Sequence, residues 1–229
     1  MFGFRFSVRS VATLLITAAV ASAAASLEAQ SAHRTRRESN ANRKARIERT
    51  IQETYSHQWE VGGGGGYLRF RSGEFLQRNN EITFWVSGTR YFNPKLGILG
   101  EVQGSYGNAK VGNTIYNIPN PQISQYTFKF GPAYRVYAKE RYAATVFGAA
   151  GAGIGKFDSG SKGIPAANLG LWQSETRAVF SAGVNLDYNF YPNLAMRVTP
   201  QYLGSTWGGK LQNNVGVNVG IIYRFGHIK

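Results

Sequence analysis

Few of the 229 residues are of types that do chemistry, and their spacing narrows them further. With no cysteine, the chain has neither a disulfide nor a thiolate metal ligand. The three histidines are His33, His57 and His227. A serine nucleophile needs a base within hydrogen-bond reach, and the long polar segments at 72–80, 107–121 and 157–174 contain no histidine. Tight carboxylate pairs and metal-ligand spacing are absent. The run Gly62-Gly63-Gly64-Gly65-Gly66 suggests a phosphate cradle, but neither a helix signal nor Gly-Lys-Ser/Thr follows it. It reads better as a strand that packs closely or bends sharply. What remains is a set of charges isolated among apolar neighbours: Glu60, Glu101, Lys129, Arg135, Arg177, Asp187, Arg197 and Arg224.

Their isolation follows from the elements that must carry them. Along 213–225, every second residue gives Val215, Val217, Val219, Ile221, Tyr223 and Phe225. The intervening set is Asn214, Gly216, Asn218, Gly220, Ile222 and Arg224. A period of two places the sets on opposite faces of one strand. Six apolar positions ending in two aromatics match a tilted membrane-crossing strand. The same period sets Phe128 and Phe130 against Lys129, and Leu186 and Tyr188 against Asp187. A charge between outward aromatics is hard to place in a soluble sandwich and easy in a barrel with lipid outside.

Seven further strands are expected, at 58–71, 81–92, 96–106, 126–136, 142–155, 175–190 and 194–207. The fifth is rich in Ala and Gly and alternates weakly. Connections at 93–95, 138–141 and 191–193 are short, whereas those at 72–80, 107–121 and 157–174 are long. Alternating short and long connections around an even strand number describe an up-and-down barrel with both termini on the short-turn side. Fourteen per cent aromatics and 28 glycines suit that shape. After about residue 25 no apolar run is long enough for a membrane helix. A membrane protein built that way must be a closed barrel, since only closure pairs every backbone group in lipid.

The amino terminus reads as an export signal. Arg5 and Arg9 precede the apolar stretch 11–20, and small residues offer cleavage after Ala23, Ala25 or Ala29. The chain therefore divides into a signal peptide at 1–25, a basic periplasmic leader at 26–56 and a barrel at 57–229. Export argues against nucleic acid as a partner, despite a net charge of +14. In the leader, Asn40 or Asn42 is positioned to cap a helix with Ile47, Ile51 and Tyr55 on one face. Its arginines suit contact with anionic headgroups or the cell wall, or a solvated leader.

Asn218, Gly220, Tyr223 and Phe225 resemble the carboxy-terminal assembly signal of bacterial outer-membrane barrels, here followed by Gly226-His227-Ile228-Lys229. Phe128-Lys129-Phe130-Gly131-Pro132-Ala133-Tyr134, with Val146-Phe147-Gly148 and Gly151-Ala152-Gly153, resembles the middle of the small eight-stranded barrels of the opacity-adhesin and outer-membrane-protein-A type. The resemblance implies an all-β, eight-stranded antiparallel transmembrane barrel in the outer membrane. It also implies insertion by the barrel-assembly machinery and contact with outer-membrane lipid and lipopolysaccharide. So small a barrel has room inside only for side chains, so the isolated charges are expected to pair and plug the lumen. No cofactor or metal is expected, and the role is expected to be structural or adhesin-like. A narrow anion-biased channel is the alternative, from the arginine excess. An enzyme acting on lipid A, as some small barrels do with a Ser–His pair, stands behind both. Tyr116, Phe157, Trp172, Lys110 and Lys162 are the loop residues available for surface contacts.

Overall fold

A computed structural model describes residues 39–112 and 116–228. The expected signal peptide, and the leader up to residue 38, lie outside the described residues. The chain divides into two units between Ala45 and Arg46, within helix α1 (Asn40–Tyr55). In the first unit the helix is capped by Ser39, whose Oγ accepts from the Asn42 amide at 3.3 Å. The cap thus precedes both asparagines expected to provide it, and serine is equally suited to the role.

The second unit holds the last turns of α1 and eight strands: β1 (Trp59–Arg71), β2 (Arg78–Tyr91), β3 (Leu96–Asn108), β4 (Gln122–Ala138), β5 (Tyr142–Lys156), β6 (Thr176–Tyr191), β7 (Leu194–Ser205) and β8 (Gln212–Phe225). Each pairs antiparallel with its chain neighbours, and β1 pairs with β8 from Trp59↔Phe225 to Arg69↔Val215, so the barrel is closed. The short turns β2–β3, β4–β5 and β6–β7 lie at one end. The opposite end carries the longer loops, with 3-10 turns at Ala166–Leu169 and Trp207–Gly209.

Burial alternates along the strands, interrupted in β1 by the glycine run, and the outward set is apolar through the middle of the wall. Ile82, Val86 and Phe130 are 76%, 60% and 70% exposed, and exposed large apolar residues recur on all eight strands. A water-soluble monomer rarely exposes more than a few hundred Å² of contiguous apolar surface; a lipid-facing wall must do so. Tyr67, Tyr106, Tyr126 and Tyr202 mark the loop-end edge of this belt. Trp59, Phe92, Tyr223 and Phe225 mark the short-turn edge. From Trp59 to Tyr67 the strand runs for about 26 Å, suited to a tilted crossing. No helix among the described residues is long and apolar enough to cross a membrane.

Glycine makes the β1–β8 seam possible. A Cβ on Gly64 would lie 2.1 Å from the Val219 carbonyl oxygen. One on Gly220 would lie 2.2 Å from the Gly63 oxygen and 2.7 Å from the Trp85 ring. The glycine run is thus the close-packed strand that its sequence suggested. Strand β5 alternates weakly because it is small on both faces. Phe157 and Trp207 fill the room left inside by Gly153 and Gly155.

Candidate functional site

Seven of the eight singled-out charges are buried in the lumen, and register puts them together. At the short-turn end Glu60 pairs across the seam with Arg224, and Asp187 pairs across β6–β7 with Arg197. Glu60 Oε1 accepts from Arg135 Nη2 at 2.6 Å and Arg224 Nε at 2.9 Å. Its Oε2 accepts from Arg197 Nη2 at 2.8 Å. Asp187 takes Arg197 Nε at 2.6 Å on Oδ1 and Arg224 Nη2 at 2.9 Å on Oδ2. All five side chains are at most 2% exposed.

Two carboxylates face three guanidiniums there, and neutral groups accommodate the extra charge. Arg135 donates to the Pro94 carbonyl at 2.6 Å and lies 4.1 Å from the Tyr91 ring centre. Tyr55, from the last turn of α1, puts its ring 4.7 Å from Arg135 and 5.9 Å from Arg224. Such ring faces attract desolvated cations. The Tyr55 hydroxyl donates to the Lys139 carbonyl at 2.7 Å and accepts from Asn189 at 3.0 Å. Burial raises its pKa above the ordinary phenol value, so it keeps the proton it donates. Asn189 Oδ1 in turn accepts from Arg224 at 2.8 Å.

Midway along the lumen, the register pair Glu101↔Lys129 forms an ion pair of 2.7 Å. Gln103 accepts from Lys129 at 3.3 Å and from Gln201 at 2.9 Å. Thr83 donates to Asn218 and Thr199 to Asn185. Farther towards the loops, Glu81 accepts from Gln125 at 2.6 Å and Asn79 at 3.1 Å. An apolar cluster occupies that end: Leu68, Phe70, Ile123, Phe157, Leu203 and Trp207 are fully buried, joined by Leu169, Leu171 and Trp172. Phe70 stacks on Phe157, and Trp207 meets both edge-on at 5.7 and 5.6 Å.

Three sequence expectations change. Arg177 has the inward phase of β6, but it stands at the rim with 46% of its side chain exposed, paired to Glu175 at 2.8 Å. Alternation gives a face, not a depth, and this position lies beyond the apolar cluster at the loop end. The Arg177 hydrogen bond holds the Glu175 pKa below the ordinary carboxylate value. Phe157 and Trp172 are 0% and 7% exposed and so offer no surface for a partner. Their loops fold over the barrel mouth, and Trp172 Nε1 donates to the Arg71 carbonyl at 2.9 Å. Tyr116, Lys110 and Lys162 remain exposed.

Glu81 shared the phase of Thr83 and Trp85 and was legible as an inward acid. Tyr55 and Tyr91 carried no such signal, because their role depends on which arginines they meet. In the terminal strand, Asn218 and Gly220 face inward, while Tyr223 and Phe225 stack outward with ring centres 6.2 Å apart. His57 and His227 lie 5.7 Å apart at the short-turn end, and His33 is outside the described residues.

No family model matches the chain, and no curated protein does. Solved structures do. Neisserial surface protein A superposes with a TM-score of 0.54 at 12% identity, over 73% of this chain and 97% of that one. The outer membrane protein OprG from Pseudomonas aeruginosa gives 0.52 at 9% identity, over 75% and 97%. The attachment invasion locus protein of Yersinia pestis gives 0.45 at 20% identity, over 74% and 99%. The closed ring of eight antiparallel strands with its apolar outer wall is the fold of the small outer-membrane β-barrels.

Proposed function

We propose that this protein is an exported, integral outer-membrane barrel with a plugged lumen and a structural or surface-interaction role. The observation that carries the reading is buried side chains packed at three depths: the Glu60–Asp187–arginine cluster, the Lys129–Glu101 pair and the apolar cluster under the loops. A buried ion pair is costly to break because one charge is left without its partner, so the layers resist hydration. The reading predicts a flat baseline when the purified barrel is reconstituted in a planar bilayer under voltage. Reproducible anion-selective steps would overturn it in favour of the narrow channel.

The balance of charge also favours the plug over an anion path. With Arg177 at the rim, the buried cations Lys129, Arg135, Arg197 and Arg224 all pair with Glu60, Glu101 or Asp187, while Glu81 accepts from the Gln125 and Asn79 amides. The cation excess that motivated the channel alternative shrinks to one, which the Pro94 carbonyl and the Tyr55 and Tyr91 rings accommodate. A non-catalytic role is supported by the distance of His57 and His227 from the long loops.

The outward Tyr223 and Phe225 suit recognition of β8 by the barrel-assembly machinery. The export signal at 1–25 belongs to the same reading. So does contact of the leader, 26–56, with anionic headgroups or the cell wall. Arg43, Lys44 and Arg49 of α1 are exposed, which supports that contact. Tyr55 belongs to the lumen seal, so the informative truncation removes only 30–45. Binding of the truncated protein to anionic vesicles is expected to weaken, with the barrel still folded; equal binding would leave the leader a solvated tether.

A further inference from the structure

The β1–β2 hairpin carries an arrangement that folding alone does not favour. Near the loops, Arg71 of β1 stands directly opposite Arg78 of β2, and Arg69 stands opposite Asn80. All four have the outward phase, with Leu68, Phe70, Asn79 and Glu81 buried on the other face. Side chains directly opposite one another lie about 5 Å apart at Cβ, and like charges there are destabilising. Among the described residues, none of the three arginines has an acid within ion-pair distance or a ring beneath it. The nearby acids are committed elsewhere: Glu74 to Lys210, Glu175 to Arg177, Asp158 to Ser174, and Glu81 to the lumen. Arg90, at the other end of β2, lies over the rings of Trp59 and Phe92. The bridge Gln77↔Lys110 brings a further exposed cation beside the hairpin.

Depth identifies what such a cluster meets. On the same face Tyr67 donates to Asn80 Oδ1 at 2.6 Å, and Tyr202 donates to Asn213, which sets the aromatic edge of the belt. Arg69 lies two residues beyond Tyr67, about 7 Å along the strand. That is the level of lipid headgroups when the tyrosines occupy the interface. Guanidiniums present paired donors that match phosphate oxygens. We propose that Arg69, Arg71 and Arg78 form a site on the outer wall for the phosphorylated headgroup of a lipid in the loop-side leaflet. The bound phosphate offsets the repulsion that the bare hairpin carries. This inference rests on the membrane-spanning reading above.

The test is native mass spectrometry and lipid titration of the full folded barrel in a zwitterionic detergent. The lipids are a bisphosphorylated lipid A, the same glycolipid stripped of phosphate, and phosphatidylcholine. The triple variant Arg69→Gln/Arg71→Gln/Arg78→Gln is compared with a charge-matched control at the short-turn end, Lys95→Gln/Lys139→Gln/Arg141→Gln. Each arginine near an anionic surface contributes about fivefold, so the triple variant is expected to lose on the order of a hundredfold for the phosphorylated lipid. The control keeps wild-type affinity, and dephosphorylated lipid no longer distinguishes the variants. Without lipid, the triple variant unfolds no more easily than wild type, since repulsion has been removed. Equal phosphorylated-lipid binding by wild type and triple variant overturns the site. So does inorganic phosphate competing at the concentration at which the lipid binds, which would make this a free-anion site. Failure to insert into lipid, with no heat-modifiable band, would instead sink the membrane reading itself.

Discussion

Replacing Glu60 by Gln is expected to lower barrel stability by about 3–5 kcal/mol, the usual cost of stripping one partner from a buried ionic cluster. Among the described residues Glu60 is the only carboxylate that reaches Arg135, and it is shared with Arg197 and Arg224. Both of its oxygens accept from guanidiniums. An amide nitrogen placed at either position would confront donors with a donor, so Gln loses geometry as well as charge. Three arginines would then depend on Asp187, which touches only two of them. The measurement is the urea midpoint of the folded band in unheated gel samples. Arg177→Gln, made alongside, should leave that midpoint unchanged, because its ion pair is at the rim. Adding Arg135→Met to Glu60→Gln should recover part of the loss, since one unpaired cation leaves with it. A Glu60→Gln barrel as stable as wild type would mean that water already reaches the cluster, and the plug would fail with it.

Sequence showed which face each charge takes, because the period of two is local and survives in every strand but β5. Glu60, Glu101, Lys129, Arg135, Asp187, Arg197 and Arg224 all lie inside. Their pairing followed from register, which no single strand contains; Glu101↔Lys129 and Asp187↔Arg197 become partners only once the turn lengths are fixed. Depth was not legible either, and Arg177 is the consequence. The loops misled for a related reason. Phe157 and Trp172 follow no alternation, so their sequence gave no sign that the mouth folds inward over Phe70 and Trp207. Start positions drifted where the cap begins: β4 extends four residues before the expected Tyr126, which lets Ile123 enter that cluster.

The wall is tested by moving a charge one residue. Lys129 is tolerated at the middle of β4 because it points inward and meets Glu101 at 2.7 Å. Phe130, its neighbour, points outward at 70% exposure. Phe130→Arg is expected to destabilise the barrel in lipid vesicles by about 2–4 kcal/mol, the cost of a cation near the midplane of a barrel's lipid face. The same change on a water-exposed surface would fall within about 0.5 kcal/mol of neutral. Phe130→Leu, which keeps the face apolar, separates loss of the ring from gain of the charge. Val136→Arg, six residues nearer the short-turn edge, should cost about 1 kcal/mol or less because the cation reaches the interface. The decisive result is therefore a gradient of cost with depth on a single strand. A flat, near-zero response at residues 130 and 136 would show that water, not lipid, covers the wall.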